Sequence, residues 1–141
     1  MKAYVAGGWF TPEQEIVLAD LKAACMFAGY DTYYPKEDLL YVPGKTKSKD
    51  VFNENLNQLQ ECDVVVASTM GKDMGTIFEC GYAYSINKPI IYYYPSKDKF
   101  NIMLSESSVA VFQYLPDLIT YLRDSIHLKG FKRLKYIGEK E

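Results

Sequence analysis

With 141 residues, 48% of them apolar, the chain is large enough to fill the core of one domain and too short for two of ordinary size. Sixteen basic against 18 acidic side chains leave a formal charge of -2, which provides no field for gripping a nucleic acid polymer. No apolar run approaches the roughly 18 to 20 residues that span a bilayer, so no membrane partner is expected.

The start, Met1 to Val5, turns strand-like too soon for a signal peptide, and a cytoplasmic location is the expectation. Cys25, Cys62 and Cys80 are scattered without C-x-x-C spacing, as expected of reduced, packed thiols. His127 is isolated and no Asp-x-Asp arrangement occurs, so neither a metal nor any other cofactor is expected.

Lys2 to Ala6 favours a strand and runs into Gly7-Gly8, a turn that lets backbone approach a ligand or a neighbouring loop. Thr11-Pro12-Glu13-Gln14 announces a helix: threonine caps, proline fits the first helical position, and Gln14 stands at the reciprocal capping-box position. Val17, Leu21, Ala24, Cys25 and Ala28 give that helix an inward stripe ending at Gly29. A strand over Tyr30 to Tyr34 follows. Residues 36 to 49, with Pro43, Gly44 and four lysines, are expected to form a flexible excursion of the kind that can serve as a lid.

Phe52, Leu56 and Leu59 mark a second helix over residues 50 to 61, leading into a buried strand centred on Val64-Val65-Val66. The spacing then predicts a helix from about Thr76 to Asn87, a strand from Pro89 to Tyr94, a short helix over Phe100 to Glu106 and an edge strand over Val109 to Gln113. Leu115, Leu118, Ile119 and Leu122 mark the last helix, and residues 129 to 141 read as a polar, solvated tail. Five strands separated by helices imply one α/β domain with a doubly wound, five-stranded parallel sheet, flavodoxin-like or Rossmann-like. In such sheets ligands bind beyond the carboxyl ends of the strands. No G-x-G-x-x-G or G-K-[ST] signature argues for a dinucleotide or phosphate loop.

Three carboxylates, Asp63, Asp73 and Glu79, fall around the central strand and are expected at one end of the sheet, where crowding would raise the proton affinity of at least one. Each also has a structural explanation. Thr76 to Glu79 fits a capping box, and Asp73 fits a charge at a helix start. Asp63 fits a polar group at the edge of a strand, and Tyr4 a tyrosine of the core.

The stretches Tyr4-Val-Ala-Gly-Gly-Trp-Phe10, Asp63-Val-Val-Val, Asp73-Met-Gly-Thr-Ile-Phe-Glu79-Cys-Gly-Tyr-Ala and Asn101-Ile-Met103 occur in the order found in nucleoside 2-deoxyribosyltransferases, and the chain resembles that family over almost its whole length. The resemblance implies an enzyme that moves a 2-deoxyribosyl group between nucleobases. Its partners would be a deoxynucleoside donor and a free purine or pyrimidine acceptor. Glu79 would be the nucleophile and Tyr4 its orienting partner, with Asp73 and Asp63 on the base side. Gly7, Gly8, Trp9, Phe10 and Gly75 would line the substrate, and Asn101 and Met103 would reach into a neighbouring subunit's site. A homo-oligomer follows, at least a dimer and by family habit a hexamer. An N-glycoside hydrolase acting on deoxynucleosides or their 5-monophosphates, and a non-catalytic nucleotide-binding module, are the alternatives. The lysine-rich 36 to 49 segment stands where family members place base-reading residues.

Overall fold

A computed structural model describes all 141 residues, Met1–Glu141. Its strands are β1 (Lys2–Ala6), β2 (Asp31–Tyr33), β3 (Val64–Ala67), β4 (Ile90–Tyr93) and β5 (Ala110–Phe112). They pair in parallel in the order β2-β1-β3-β4-β5, the doubly wound arrangement expected from the alternation of strands and helices. The order reverses between β1 and β3, where Tyr4 pairs with Val65 and Ala6 with Ala67.

Side-chain alternation along the central strands divides the core in two. Ala3, Val5, Val64, Val66 and Ile91 face α1 (Pro12–Ala28) and α6 (Leu115–Leu128). Tyr4, Ala6, Val65, Ala67 and Tyr92 face the other way, onto α3 (Ser48–Glu61) and α4 (Met74–Ser85). Because every residue of β3 is buried, its continuous valine run is accounted for by two covered faces.

The first helix starts and stops as its sequence dictates: Thr11 and Gln14 form a complete capping box, and Gly29 closes the helix at φ 102°. Elsewhere two expectations need correction. Helix α4 begins earlier than Thr76, because Asp73 is its cap and accepts the Thr76 backbone N–H. Within residues 36 to 49 there is local order: a short helix, α2 (Pro35–Asp38), opens the segment and the Thr46 hydroxyl accepts the Val42 N–H at 2.8 Å. The tail is docked rather than solvated. After α6, the Leu134 N–H bonds to the Val109 carbonyl, Tyr136 packs on the second core cluster, and Lys140 bridges Phe100 in parallel beside α5 (Ile102–Ser107).

Candidate active site

Beyond the carboxyl end of β1 the chain turns at Gly7-Gly8, and beyond β3 it turns at residues 68 to 73. Gln14 holds the two turns together. Its Oε1 accepts the N–H groups of Phe10 (3.0 Å) and Thr11 (3.1 Å), while its Nε2 donates to the Met70 carbonyl (3.1 Å). A Cβ at Gly8 would lie 2.5 Å from that Nε2 and 3.1 Å from the Asp73 Cβ; one at Gly71 would lie 2.3 Å from the same Nε2. Both glycines therefore leave the room that the Gln14 amide occupies, and the φ of 76° at Gly71 favours glycine as well.

This packing brings Asp73 beside Gly8 at the start of α4. Its Oδ2 accepts both the backbone N–H and the hydroxyl of Thr76, each at 2.8 Å, so one oxygen is committed to the cap and the other is free for a ligand. Gly75 sits in the first turn without crowding. Trp9 is half-buried and packs on Phe10, with ring centroids 5.4 Å apart, while Phe10 is mostly exposed on the rim.

Glu79 lies in the second turn of α4, on the flank facing β1, and its Oε1 accepts a hydrogen bond from the Tyr4 hydroxyl at 2.8 Å. The capping-box explanation of Glu79 falls with the earlier helix start, and so does first-turn stabilisation of its charge. Its carboxyl is instead pushed up to about 7: burial is the main cause, the Tyr4 hydrogen bond opposes it, and the Asp73 charge adds to it. The same burial, with the Glu79 charge close by, pushes the Tyr4 hydroxyl well above its ordinary range and keeps it a donor. A half-buried carboxyl poised near neutrality suits a group that must carry charge during a reaction.

Around Tyr4 and Glu79 lie residues that the motifs did not indicate. Tyr33 packs on Tyr4, with centroids 5.4 Å apart, and its hydroxyl donates to Asn55 Oδ1 at 2.9 Å. Phe52 and Phe78 meet across α3 and α4 at 5.8 Å. Asn55 had a signal in the sequence: it stands on the same helical stripe as Phe52, Leu56 and Leu59, a polar residue on an otherwise apolar face.

Asp63 is not part of this constellation. It precedes the first residue of β3, at the amino end of the sheet, where its exposed carboxylate accepts the Lys2 backbone N–H at 2.7 Å. Four strand residues, roughly 13 Å at about 3.3 Å each, separate it from the carboxyl edge, so the base-side role expected of it is withdrawn. Asn101 and Met103 are also apart from Glu79 of their own chain. They line a cavity of about 390 Å³ together with Ile77, Tyr94, Phe100 and Thr69. Ile77 is two residues from Glu79, about 200° around the helix, which puts the cavity and the carboxylate on opposite flanks of α4.

The family model described as "Nucleoside 2-deoxyribosyltransferase" matches residues 3–119, a span that contains Tyr4, Asp73, Glu79 and Asn101. The chain belongs to the nucleoside 2-deoxyribosyltransferase family. Solved relatives share the fold of this family member at low identity. The 2-deoxyribosyltransferase of Bacillus psychrosaccharolyticus is 23% identical, with 95% of this chain and 99% of that one covered at a TM-score of 0.81. The 2-desoxiribosyltransferase of Leishmania mexicana is 18% identical over 87% and 97% of the two chains, at a TM-score of 0.61. The CMP N-glycosidase BcmB of Clostridium botulinum is 15% identical over 86% and 98%, at 0.57. No curated protein matches the sequence. Within this deoxyribosyltransferase-family fold, the switch point between β1 and β3 holds the Tyr4, Asp73 and Glu79 cluster.

Proposed function

We propose that the protein transfers a 2-deoxyribosyl group from a deoxynucleoside to a free nucleobase, acting as a single catalytic domain with Glu79 as the nucleophile. The observation that carries this reading is the half-buried Tyr4 to Glu79 hydrogen bond, which leaves one carboxylate oxygen of a near-neutral acid free at the switch point of the sheet. That free oxygen attacks C1 of the sugar. As the ester bond forms, the C1–N bond breaks, and the departing base leaves with the bonding pair. In the second half the acceptor's nitrogen attacks C1, and the Glu79 carboxylate departs. The first base takes up a proton from solvent as it departs, and the acceptor gives one up to solvent as it attacks, so the two halves balance. Splitting one displacement into two inversions gives overall retention and spares the site a free oxocarbenium ion.

Tyr4 holds the nucleophile's other oxygen in place, and Asp73 offers its uncommitted oxygen to the base. Trp9 and Phe10 supply an aromatic rim for a flat ring. No group in this scheme requires a metal or cofactor.

A homo-oligomer completes the site. Met74 (86% exposed), Phe78, Tyr84, Ile102 and Met103 (74%) give the outer faces of α4 and α5 an apolar surface of the kind that protein partners cover. A second copy placed there brings Asn101 and Met103 to a Glu79 that is not their own, with a dimer as the minimum assembly.

The test is to trap the ester. Rapid quenching with a deoxynucleoside or a 2-fluoro analogue should add the mass of the sugar to the peptide containing Glu79, and an acceptor base should discharge it into a new nucleoside. An adduct on another residue refutes the assignment. One released only by water moves the protein to hydrolysis.

A further inference from the structure

The Asn101 turn has little regular backbone structure of its own. It follows the exposed run Lys97-Asp98-Lys99 and opens α5, which at six residues is far shorter than a helix that stands alone. The last three residues of the chain supply what is missing. The Phe100 N–H donates to the Glu139 carbonyl at 2.9 Å, the Glu141 N–H to the Phe100 carbonyl at 3.0 Å, and the Ile102 N–H to the Glu141 carbonyl at 2.8 Å. The residues on both sides of Asn101 are thus bound to one strand. Lys140 Nζ reaches Glu106 Oε1 on α5 at 3.0 Å, and the Arg133 guanidinium donates to the Glu106 carbonyl at 3.1 Å. Tyr136 packs edge-on against buried Phe100, 5.7 Å between centroids. The Asn101 side chain caps α5 through Oδ1, accepting from Met103 and Leu104, so its amide nitrogen is the donor it can still offer.

We infer that residues 139 to 141 are a positioning strap for the Asn101 turn, so that this segment of one subunit sets the geometry of the site in its partner. The inference rests on the shared-site reading above for its functional half; its structural half stands on the strap's hydrogen bonds alone. The strap is absent from the family match, which ends at residue 119, and no motif pointed to it.

Two variants test it: a chain ending at Gly138, and the full-length Glu141→Pro, which removes the N–H that bonds Phe100, puts the proline ring in its place and keeps the other residues of the strap. Amide exchange of Met103 and Leu104 should speed up by at least about tenfold in the first and by less in the second. Transfer should fall by up to about a hundredfold, since a misplaced binding group costs that order of rate. The decisive readout is the complementation class. In mixed oligomers the shortened chain should restore activity when paired with Glu79→Gln, which brings an intact strap and Asn101, and should fail to do so with Asn101→Ala. Unchanged Met103 and Leu104 exchange in the shortened chain, full activity of that chain, or recovery when it is paired with Asn101→Ala would each overturn the strap. If full-length Glu79→Gln and Asn101→Ala subunits do not complement each other, site sharing is what fails, and amide exchange still decides whether the strap holds the turn.

Discussion

Tyr4→Phe isolates the contact on which the charge of Glu79, the proposed nucleophile, depends. The substitution removes one oxygen and keeps the buried ring that packs on Tyr33 at 5.4 Å, so the fold should tolerate it. What it removes is a hydrogen bond of 2.8 Å to a carboxylate whose acidity burial has already raised to about 7. A hydrogen bond to a charged group contributes about 1.5 to 3 kcal/mol, equivalent to about one to two pKa units at about 1.4 kcal/mol per unit. The bond favours the ionised form, so its loss pushes Glu79 further upward. At pH 7 the ionised fraction drops from about one half to between roughly one in ten and one in a hundred, and transfer falls about 5- to 50-fold. The check is kcat/KM for transfer against pH. The acid limb should move alkaline by about one to two units, with much of the lost rate recovered at high pH. A limb that stays in place while the rate falls at every pH would show that Tyr4 aims the carboxylate without tuning it, and an unchanged rate would remove Tyr4 from the mechanism.

Glu79→Gln should abolish ester formation yet stabilise the fold above neutrality. With a folded pKa raised from 4.5 to about 7, the carboxyl holds its proton better folded than unfolded, so its cost grows as pH rises through that window. Chemical denaturation should show a gain on the order of 1 to 3 kcal/mol at pH 8 that shrinks to nothing near pH 4. Asp73→Asn keeps an equally good helix cap, so thermal stability should barely move while transfer slows; a parallel loss of both would assign Asp73 to the cap alone. Asp63→Ala should leave kcat within about twofold, since surface changes remote from a site seldom matter, and a large loss in a steady-state assay would restore the carboxylate to the chemistry. Gln14→Leu strands two N–H groups and a carbonyl, and the urea midpoint should fall by the equivalent of about 2 to 4 kcal/mol with an unchanged slope.

The sheet was legible because each of its signals is local. Alternating strands and helices, the Thr11 box and the Gly29 stop act within a few residues, and the strand order follows from short right-handed crossovers. Within the site, the motifs indicated Tyr4, Asp73 and Glu79, and the structure brings Tyr4 and Glu79 into contact. Asp63 misled because nearness in sequence to a central strand does not say which end of the strand a residue occupies: Asp63 precedes Val64, while Asp73 follows Ala67. A strand is a spacer, and the carboxylates on its two sides are held apart by its length.

What the sequence could not show are the contacts that join distant segments. Gln14 reads as half of a capping box and fills that role, yet its amide also reaches 56 residues along the chain to Met70. Nothing in the local pattern around Gly8 or Gly71 announces that both leave room for the same side chain. The tail is the extreme case. Its alternating charges look like a solvated end until Lys140 is seen on Glu106 and the backbone of 139 to 141 on that of 100 to 102. Glu79 sums up the physical difference: its position in the motif indicated a nucleophile, but its readiness near pH 7 comes from burial by the surrounding fold, from a tyrosine 75 residues away and from Asp73 one and a half turns earlier. The residue type is written locally, whereas its acidity belongs to the assembled cleft.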